Sequence, residues 1–244
     1  MQVHRSLPVV GRLLTFAVAG FAALGVVDCS TFVTVRARGD GTLDGSVSRT
    51  PYSAPGRVRA TLSEIMSGAT GTYIDRLLID RDSTLERWPD RLGPPLRVWI
   101  DSSSTIGGEK ATFPAAVRGA FDQWIATGIP LRVSYVSSPD DANIRVRWTE
   151  RLNRKTGSTS WRTDRGGYLT SGEIILATHV SDGHPLDSRG MRAIALHEVG
   201  HALGLSHSLN ERDIMAPLVR VDGLSEQDRG TIKLLYSLPA GQVH

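Results

Sequence analysis

Residues 197–207 read HEVGHALGLSH, which places three histidines and one glutamate at short, fixed intervals. His197 and His201 are four residues apart, so on a helix their side chains lie one above the other on the same face. At this separation two imidazoles can bind one metal ion. Gly204 tolerates the left-handed conformation that ends helices, which would let His207 return toward the same ion. The spacing therefore predicts three nitrogen ligands around one metal.

Three protein nitrogens and one open position form the donor set of a catalytic zinc site, whereas structural zinc sites are closed. Glu198 is rotated by about 100° from His197 on a helix of 3.6 residues per turn, which puts it beside the metal and not among the ligands. A carboxylate at this place can take a proton from an attacking water. Zinc activates water and polarises a substrate carbonyl. These residues predict peptide-bond hydrolysis without a covalent intermediate, with Glu198 as the general base.

The motif resembles the extended zinc signature of the metzincin peptidases. Met215, in DIMAP, stands where that clan places a methionine turn beneath the metal, as a packing residue and not as a ligand. Within the clan the sequence resembles the matrixins, the family of the matrix metalloproteinases. Ser208, Pro217 and the stretch LSEQDRGTIKLLY carry this closer similarity. The resemblance covers about residues 88–238 in the order of elements and is most specific around the histidines.

The resemblance implies a zincin catalytic domain of the α/β (α+β) class, with a mixed twisted sheet of about five strands, two long helices and a C-terminal helix. It implies zinc as the cofactor, bound by His197, His201 and His207. It also implies that a polypeptide substrate lies extended along the strand TGSTSWRTD, residues 156–164, and pairs with that strand. The S1′ pocket would lie between the motif helix and residues 218–224.

Animal matrixins carry a second zinc and several calcium ions in an insert rich in Gly, Asp and His. That insert is largely missing here, so the sequence offers no clear calcium site and the chain resembles a minimal, bacterial-type matrixin. His179, Asp182, His184 and Asp187 form the one other cluster of metal-ligand residue types. They read either as a second metal site or, more simply, as solvent-exposed side chains of a polar loop.

Apolar residues recur at helical spacing over residues 114–126, in a stripe formed by Ala116, Val117, Ala120, Phe121, Trp124 and Ile125. This period is typical of a helix that packs on a sheet. Further helices are predicted over residues 189–203, which include most of the motif, and over residues 225–237, with Ser225 as the N-cap. Strands are predicted at residues 96–101, 131–136, 143–149, 156–164 and 172–179. Strands that alternate with helices in this order indicate an α/β domain.

Composition divides the chain into four segments. Residues 1–29 contain the apolar run 13–27, which is typical of an export signal and short for a membrane-spanning helix; cleavage and retention as an anchor both stay open. Residues 30–60 are rich in Gly, Ser and Pro and predict a flexible linker. Residues 61–87 predict a short helix or helical pair, as a pro-segment or spacer. Residues 88–240 form the predicted catalytic domain.

Two roles are open for residues 61–87. The segment could cover the cleft as a removable inhibitor, through a carboxylate such as Asp75, Asp80 or Asp82, or it could pack on the back of the domain. A cysteine switch is not expected, because Cys29 lies directly after the apolar run and lacks the surrounding motif. A single cysteine also leaves no internal disulfide to stabilise the fold.

The formal net charge of +3 is too mild to indicate nucleic-acid binding, and the arginines between residues 145 and 165 are interpreted as a solvated face. Membrane contact is expected through the N-terminal segment alone, so the protein would be exported, secreted or tethered, and monomeric. Its substrates would be extracytoplasmic proteins, as for enzymes of the extracellular matrix. A catalytically silent zinc-containing binding protein is the alternative function, but such relatives usually lose the glutamate and Glu198 is intact.

Overall fold

The computed structural model describes residues 60–102 and 112–243, together with the backbone of residues 34–36. The apolar run at residues 13–27 and Cys29 lie outside the described residues, as does most of the predicted linker. In the described part of the chain no helix is both long and apolar enough to cross a bilayer.

Five helices and eight strands are assigned within these ranges. The helices are α1 (Leu62–Gly68), α2 (Ile74–Asp80), α3 (Phe113–Ile125), α4 (Ser188–Ala202) and α5 (Glu226–Ser237). The strands are β1 (Thr34–Arg36), β2 (Thr84–Leu85), β3 (Arg91–Ile100), β4 (Leu131–Tyr135), β5 (Ile144–Thr149), β6 (Gly157–Thr163), β7 (Leu169–Ala177) and β8 (Gly241–Gln242).

One mixed sheet has the strand order β1-β6-β7-β5-β3-β4. Strand β6 runs antiparallel to β7, and the other neighbouring pairs are parallel. Helix α4 packs against β6 and β7 and against α3. The predicted fold class is confirmed: β3 to β7 supply five of the six strands of the mixed sheet, α3 and α4 are the long helices, and α5 is the C-terminal helix.

Helix α4 is positioned by its ends and by α3. Asp187 caps its N-terminus, because the side chain accepts a hydrogen bond from Gly190 N at 2.6 Å. The stripe predicted for α3 is largely buried, with Val117, Phe121 and Trp124 fully so. Trp124 Nε1 donates to Leu196 O of α4 at 2.8 Å. This contact fixes α3 beside the turn of α4 that carries the motif.

Residues 60–88 share the core of the rest of the described chain. Ile65, Leu77 and Leu85 are fully buried in the same apolar cluster as the sheet and α4. Trp88 is also fully buried, and its Nε1 donates to Ala202 O at 2.8 Å. The helical pair expected for residues 61–87 is present as α1 and α2, but the domain boundary predicted at residue 88 coincides with no break in the packing.

Three short strands lie where no strand is predicted. Strand β1 falls in the segment expected to be a linker and pairs in parallel with the second half of β6, from Trp161 to Thr163. Strands β2 and β8 pair antiparallel, with Thr84 opposite Gln242. They join the N-terminal helical pair to the last residues of the chain. Strands of two or three residues are too short to show an apolar alternation, so the sequence pattern could not reveal them.

Candidate metal centre

The last two turns of α4 carry His197, Glu198 and His201, and all three side chains are buried. His207 follows in the loop after the helix and is partly exposed. One nitrogen atom from each histidine lies within 4.8 Å of the other two. The Nε2 atoms of His197 and His201 are 2.9 Å apart. The fold thus brings three imidazoles to one point, which we call the histidine cluster.

Backbone carbonyl groups fix the tautomers of the two helical histidines. His197 Nδ1 lies 2.7 Å from Ile214 O, and His201 Nδ1 lies 2.9 Å from Leu205 O. Because a carbonyl oxygen can only accept, each Nδ1 carries the proton and donates it. Each Nε2 then directs a lone pair into the histidine cluster. This is the tautomer that a metal ligand requires.

Burial also keeps these imidazoles uncharged. Loss of hydration lowers the pKa of His197 to about 3. Burial likewise lowers the pKa of His201 well below its usual 6.5, and the neighbouring His197 lowers it further. At neutral pH the two imidazoles are therefore uncharged, which is the form that binds a metal ion.

Gly204 turns the chain from α4 toward His207. Its φ of 111° lies in the left-handed region, which glycine adopts without a steric penalty. A Cβ atom on Gly204 would also collide with the carbonyl oxygen of Glu86. Leu205 N donates to Gly200 O at 3.0 Å across this turn. Both the backbone conformation and the available space therefore require glycine at this position.

The side chain of Glu198 is held by strand β6. Thr159 Oγ1 donates to Glu198 Oε2 at 2.6 Å, and Thr159 is itself fully buried. Gly157 provides the space, because a Cβ atom there would lie only 2.6 Å from the Cγ and Cδ atoms of Glu198. The group of converging ligand atoms contains the histidines and not Glu198. The carboxylate thus lies against β6, while its backbone belongs to the turn of α4 that carries His197 and His201.

Met215 packs against the motif helix. It is fully buried, and a Cβ atom on Gly200 would collide with its sulfur atom. The same added atom would lie 2.9 Å from Trp124 Cζ2. Gly200 therefore lets Met215 and Trp124 approach α4 between the two helical histidines.

Asp228 of α5 braces the segment that supports His197. Its Oδ2 accepts hydrogen bonds from Ile214 N and Ser225 N, both at 2.9 Å. Its Oδ1 accepts from the hydroxyl of Tyr73 at 3.0 Å. Burial raises the pKa of Asp228, against the effect of these hydrogen bonds. Asp228 thus fixes the N–H of Ile214, while the carbonyl of Ile214 accepts from His197.

The family model for matrixins (Peptidase_M10) matches residues 98–237, which include the histidine cluster, Glu198 and Met215. The chain belongs to the matrixin family. The resemblance that the motif indicated is thereby confirmed.

This matrixin is 26% identical to Metalloendoproteinase 1 of Glycine max over 142 residues, which are 52% of the chain and 46% of that protein. It is 45% identical to Matrix metalloproteinase-15 of Homo sapiens over 62 residues, which are 23% of the chain and 9% of that protein. The chain therefore spans less than half the length of either relative.

The donor set of this matrixin fits zinc. Three imidazoles converge, and two of them, His197 and His201, are neutral with their tautomers fixed by backbone acceptors. Imidazole is a preferred zinc ligand, and three protein ligands leave a fourth coordination position for water or substrate. Family membership and geometry together support zinc as the metal of this site.

The other cluster of ligand residue types does not converge. Among the described residues, the histidine cluster is the one group of three or more His, Cys, Asp or Glu side chains with ligand atoms this close. His179 Nδ1 instead lies 2.9 Å from Thr178 Oγ1, and Asp182 accepts from the backbone of His184. Asp75, Asp80 and Asp82 are also outside the group. The polar-loop interpretation of residues 179–187 accounts for these contacts.

Sequence reasoning missed the residues of this matrixin that hold the motif in place. Thr159 lies 39 residues before Glu198 along the chain, and Tyr73 lies 155 residues before Asp228. No local spacing relates such pairs, so only the folded chain reveals them. Asp228 was recognisable as an acidic residue in the first turn of its helix, but its bond to Ile214 was not.

Proposed function

We propose that this matrixin is a zinc-dependent endopeptidase with Glu198 as its general base. The observation that carries this proposal is the convergence of three imidazoles, two of them held neutral by burial, with Glu198 on the same helix as those two and not among the converging ligands. His197, His201 and His207 would hold the metal. Every group that hydrolysis of a peptide bond requires is then present in one place.

Bound zinc would supply a Lewis acid that polarises the scissile carbonyl and lowers the pKa of a water molecule to about 7. Glu198 takes the proton of the attacking water and delivers it to the leaving amine. The hydroxyl of Thr159 donates to Glu198 Oε2 and so limits the rotation of the carboxylate. A fixed base is an advantage, because proton transfer requires hydrogen-bonding distance to the attacking water.

We propose further that the substrate is a polypeptide bound in extended form along β6. Beyond β6 the described sheet continues as the three-residue strand β1, which covers only one half of β6, and the other half can offer its backbone groups to an added strand. Strand β1 pairs with β6 from Trp161 to Thr163. The half of β6 that contains Gly157 and Thr159 lies beside Glu198, and a substrate strand there would bring its scissile bond to the base.

The extracytoplasmic placement of the substrate rests on the apolar run at residues 13–27, which is typical of an export signal. We propose that the protein acts outside the cytoplasm as a monomer, secreted or tethered by that segment. The S1′ pocket is proposed between α4 and residues 218–224. This segment is tied to the start of α4 by an ion pair of 2.9 Å between Arg189 and Asp222.

The test combines metal analysis with cleavage of a library of quenched fluorescent peptides by the purified chain. We expect one zinc per chain, cleavage that phenanthroline abolishes, and recovery on adding zinc. The same library would report the preferred S1′ side chain. A chain free of zinc whose cleavage resists the chelator would refute the proposal, and a zinc-loaded chain that cleaves nothing would favour the silent binding protein.

Substitution of Glu198 separates its role from that of a ligand. Glu198→Ala should retain zinc and lower turnover by at least about a thousandfold, since it removes proton transfer and electrostatic stabilisation together. His201→Ala should instead lose zinc. Equal metal loss in both variants would make Glu198 a ligand and contradict the assignment. Exposed Glu150, changed to Ala, serves as the carboxylate control and should behave like the parent.

A further inference from the structure

Arg81 approaches the metal site from the end of α2. Its Nη2 donates to Leu205 O at 3.1 Å, and the same oxygen accepts from His201 Nδ1 at 2.9 Å. One carbonyl therefore joins a guanidinium group of the N-terminal helical segment to a histidine of the motif. The contact spans 124 positions along the chain.

The guanidinium group of Arg81 is itself held in a buried setting. Its side chain is 7% exposed, and Nη1 forms an ion pair of 3.5 Å with Glu86, whose side chain is 4% exposed. Glu86 Oε2 accepts from Trp161 Nε1 of β6 at 2.9 Å, and Arg81 stacks on the ring of Trp161. The absence of a side chain at Gly204 lets the turn after α4 reach the backbone of Glu86.

We propose that Arg81 is a positioning residue for the metal site, acting on His201 through the carbonyl group of Leu205. This inference rests on the proposed zinc-binding role of the histidine cluster. It also assigns residues 73–88 a supporting function at that cluster. Tyr73 contributes in parallel, because its hydroxyl binds Asp228, which holds the N–H of Ile214, the residue whose carbonyl oxygen accepts from His197.

The physical basis is the direction of one carbonyl group. Leu205 lies in the irregular turn after α4. A carbonyl group in such a turn can change direction unless hydrogen bonds to its oxygen hold it. The guanidinium group offers a charged donor in a rigid planar fork, so it fixes the oxygen more firmly than a neutral donor would. A fixed oxygen holds the imidazole N–H and therefore aims Nε2. Groups that bond directly to a ligating histidine typically change metal affinity by about 10 to 100 fold, and Arg81 holds such a group in place.

The chain supplies a matched control. Arg87 belongs to the same segment, is 6% exposed, and donates to the carbonyls of Leu238 and Trp88, yet it makes no hydrogen bond to the turn after α4. Arg81→Met and Arg87→Met each remove one buried guanidinium group. Because Arg81→Met leaves Glu86 unpaired, the double variant Arg81→Met/Glu86→Gln removes that charge and keeps an acceptor for Trp161. Arg81→Lys retains the positive charge without the fork.

The experiment uses the full chain and two readouts that do not depend on cleavage. Zinc affinity is measured by competition with a chromophoric chelator, and ligand geometry by the visible absorption spectrum after cobalt substitution. We expect Arg81→Met and the double variant to bind zinc about 10 to 100 fold more weakly and to show a shifted cobalt spectrum. The zinc affinity of Arg81→Lys should lie between the affinities of these two variants and that of the parent. Arg87→Met should bind zinc as tightly as the parent and show the same cobalt spectrum.

Equal zinc affinity in the parent and the folded double variant would overturn the proposal, as would an equal loss in Arg87→Met. Failure of the double variant to fold while Arg87→Met folds would also overturn it, since Arg81 would then support the whole domain. The proposed function fails in a different way. A parent chain that binds zinc but cleaves no peptide would refute the endopeptidase and leave the comparison of zinc affinities intact.

Discussion

At the scale of single residues, Gly157 shows how little space surrounds the proposed base. A Cβ atom there would overlap the side chain of Glu198, so Gly157→Ala must displace either the carboxylate or the start of β6. We expect kcat/KM to fall by at least about tenfold, since a misplacement near 1 Å costs catalysis heavily, while zinc remains bound. Peptide cleavage and zinc content of the same preparation measure the two effects.

Gly172 of β7 is the matched control for this substitution. A Cβ atom at Gly172 would lie 3.6 Å from Ile144 Cγ1 and 3.6 Å from Ser160 O, which is ordinary contact distance. Gly172→Ala should therefore retain the parent activity. If Gly157→Ala were as active as Gly172→Ala, the carboxylate of Glu198 would not depend on the space that β6 leaves for it.

Which site residues a sequence can reveal depends on how far apart their partners lie along the chain. The histidines and Glu198 are separated by a few positions on one helix, so spacing alone predicts their convergence. The left-handed turn at Gly204 is likewise local. Thr159, Arg81 and Asp228 act across tens of positions or more, and their residue types have many ordinary uses. The residues that carry out the chemistry were therefore predictable, whereas the distant residues that hold them in place were not.

At the scale of elements, the sequence predicted those with a sustained apolar period. The predicted helix at residues 114–126 is observed at 113–125, and the motif helix predicted at 189–203 is observed at 188–202. Helix α3 buries one face and has a proline in its first turn, whereas residues 193–202 of α4 are all buried and Asp187 caps its N-terminus. Strands β1, β2 and β8 depend on pairing with distant partners, and nothing in their few residues predicts a strand.

The N-terminal helical pair makes a prediction about truncation. Ile65, Ile74, Leu77 and Leu85 are nearly fully buried, and losing their burial would remove on the order of 10 kcal/mol. That is comparable with the whole free energy of unfolding of a typical domain. A chain that begins at residue 88 should therefore fail to fold, whereas one that begins at residue 60 should fold and bind zinc. Circular dichroism and urea unfolding compare the two chains.

The same comparison decides between the two roles that the sequence left open for residues 61–87. A folded shorter chain that cleaves peptides faster than the longer one would establish an inhibitory pro-segment. An unfolded shorter chain would establish the segment as a part of the domain, in agreement with its buried contacts.

At the scale of the whole molecule, metal removal should make stability depend on pH. In the zinc-free protein the pKa of His197 is about 3 and that of His201 is well below 6.5, whereas the unfolded chain takes up protons near pH 6.5. At a pH between the folded and the unfolded pKa of each histidine, the unfolded state therefore binds more protons than the folded state. The contribution of His197 to the free energy of unfolding is fully present above about pH 6.5 and falls as the pH decreases toward 3, by about 1 kcal/mol per pH unit. The contribution of His201 changes in the same direction. Urea unfolding at pH 7.5 and 5.5 measures this loss.

A histidine variant isolates this contribution from other groups. Asp228, whose pKa is raised by burial, contributes with the opposite sign, because a raised carboxyl pKa favours the folded state at low pH. The free energy of unfolding of zinc-free His197→Gln should therefore depend less on pH than that of the zinc-free parent. The difference should equal the contribution of one histidine. Identical pH profiles for the two zinc-free proteins would contradict the assignment of neutral buried imidazoles.

The pairing of β2 with β8 has a consequence for the order in which this protein folds. Thr84 binds Gln242 across 158 positions, and Tyr73 and Arg81 reach Asp228 and Leu205 across 155 and 124. Contacts of such separation slow folding, because long loops must close before any contact stabilises them. On a ribosome the residues near position 80 emerge long before their partners. Completion of the fold must then await the emergence of residues 205–242, so the contacts that support the histidine cluster would form late.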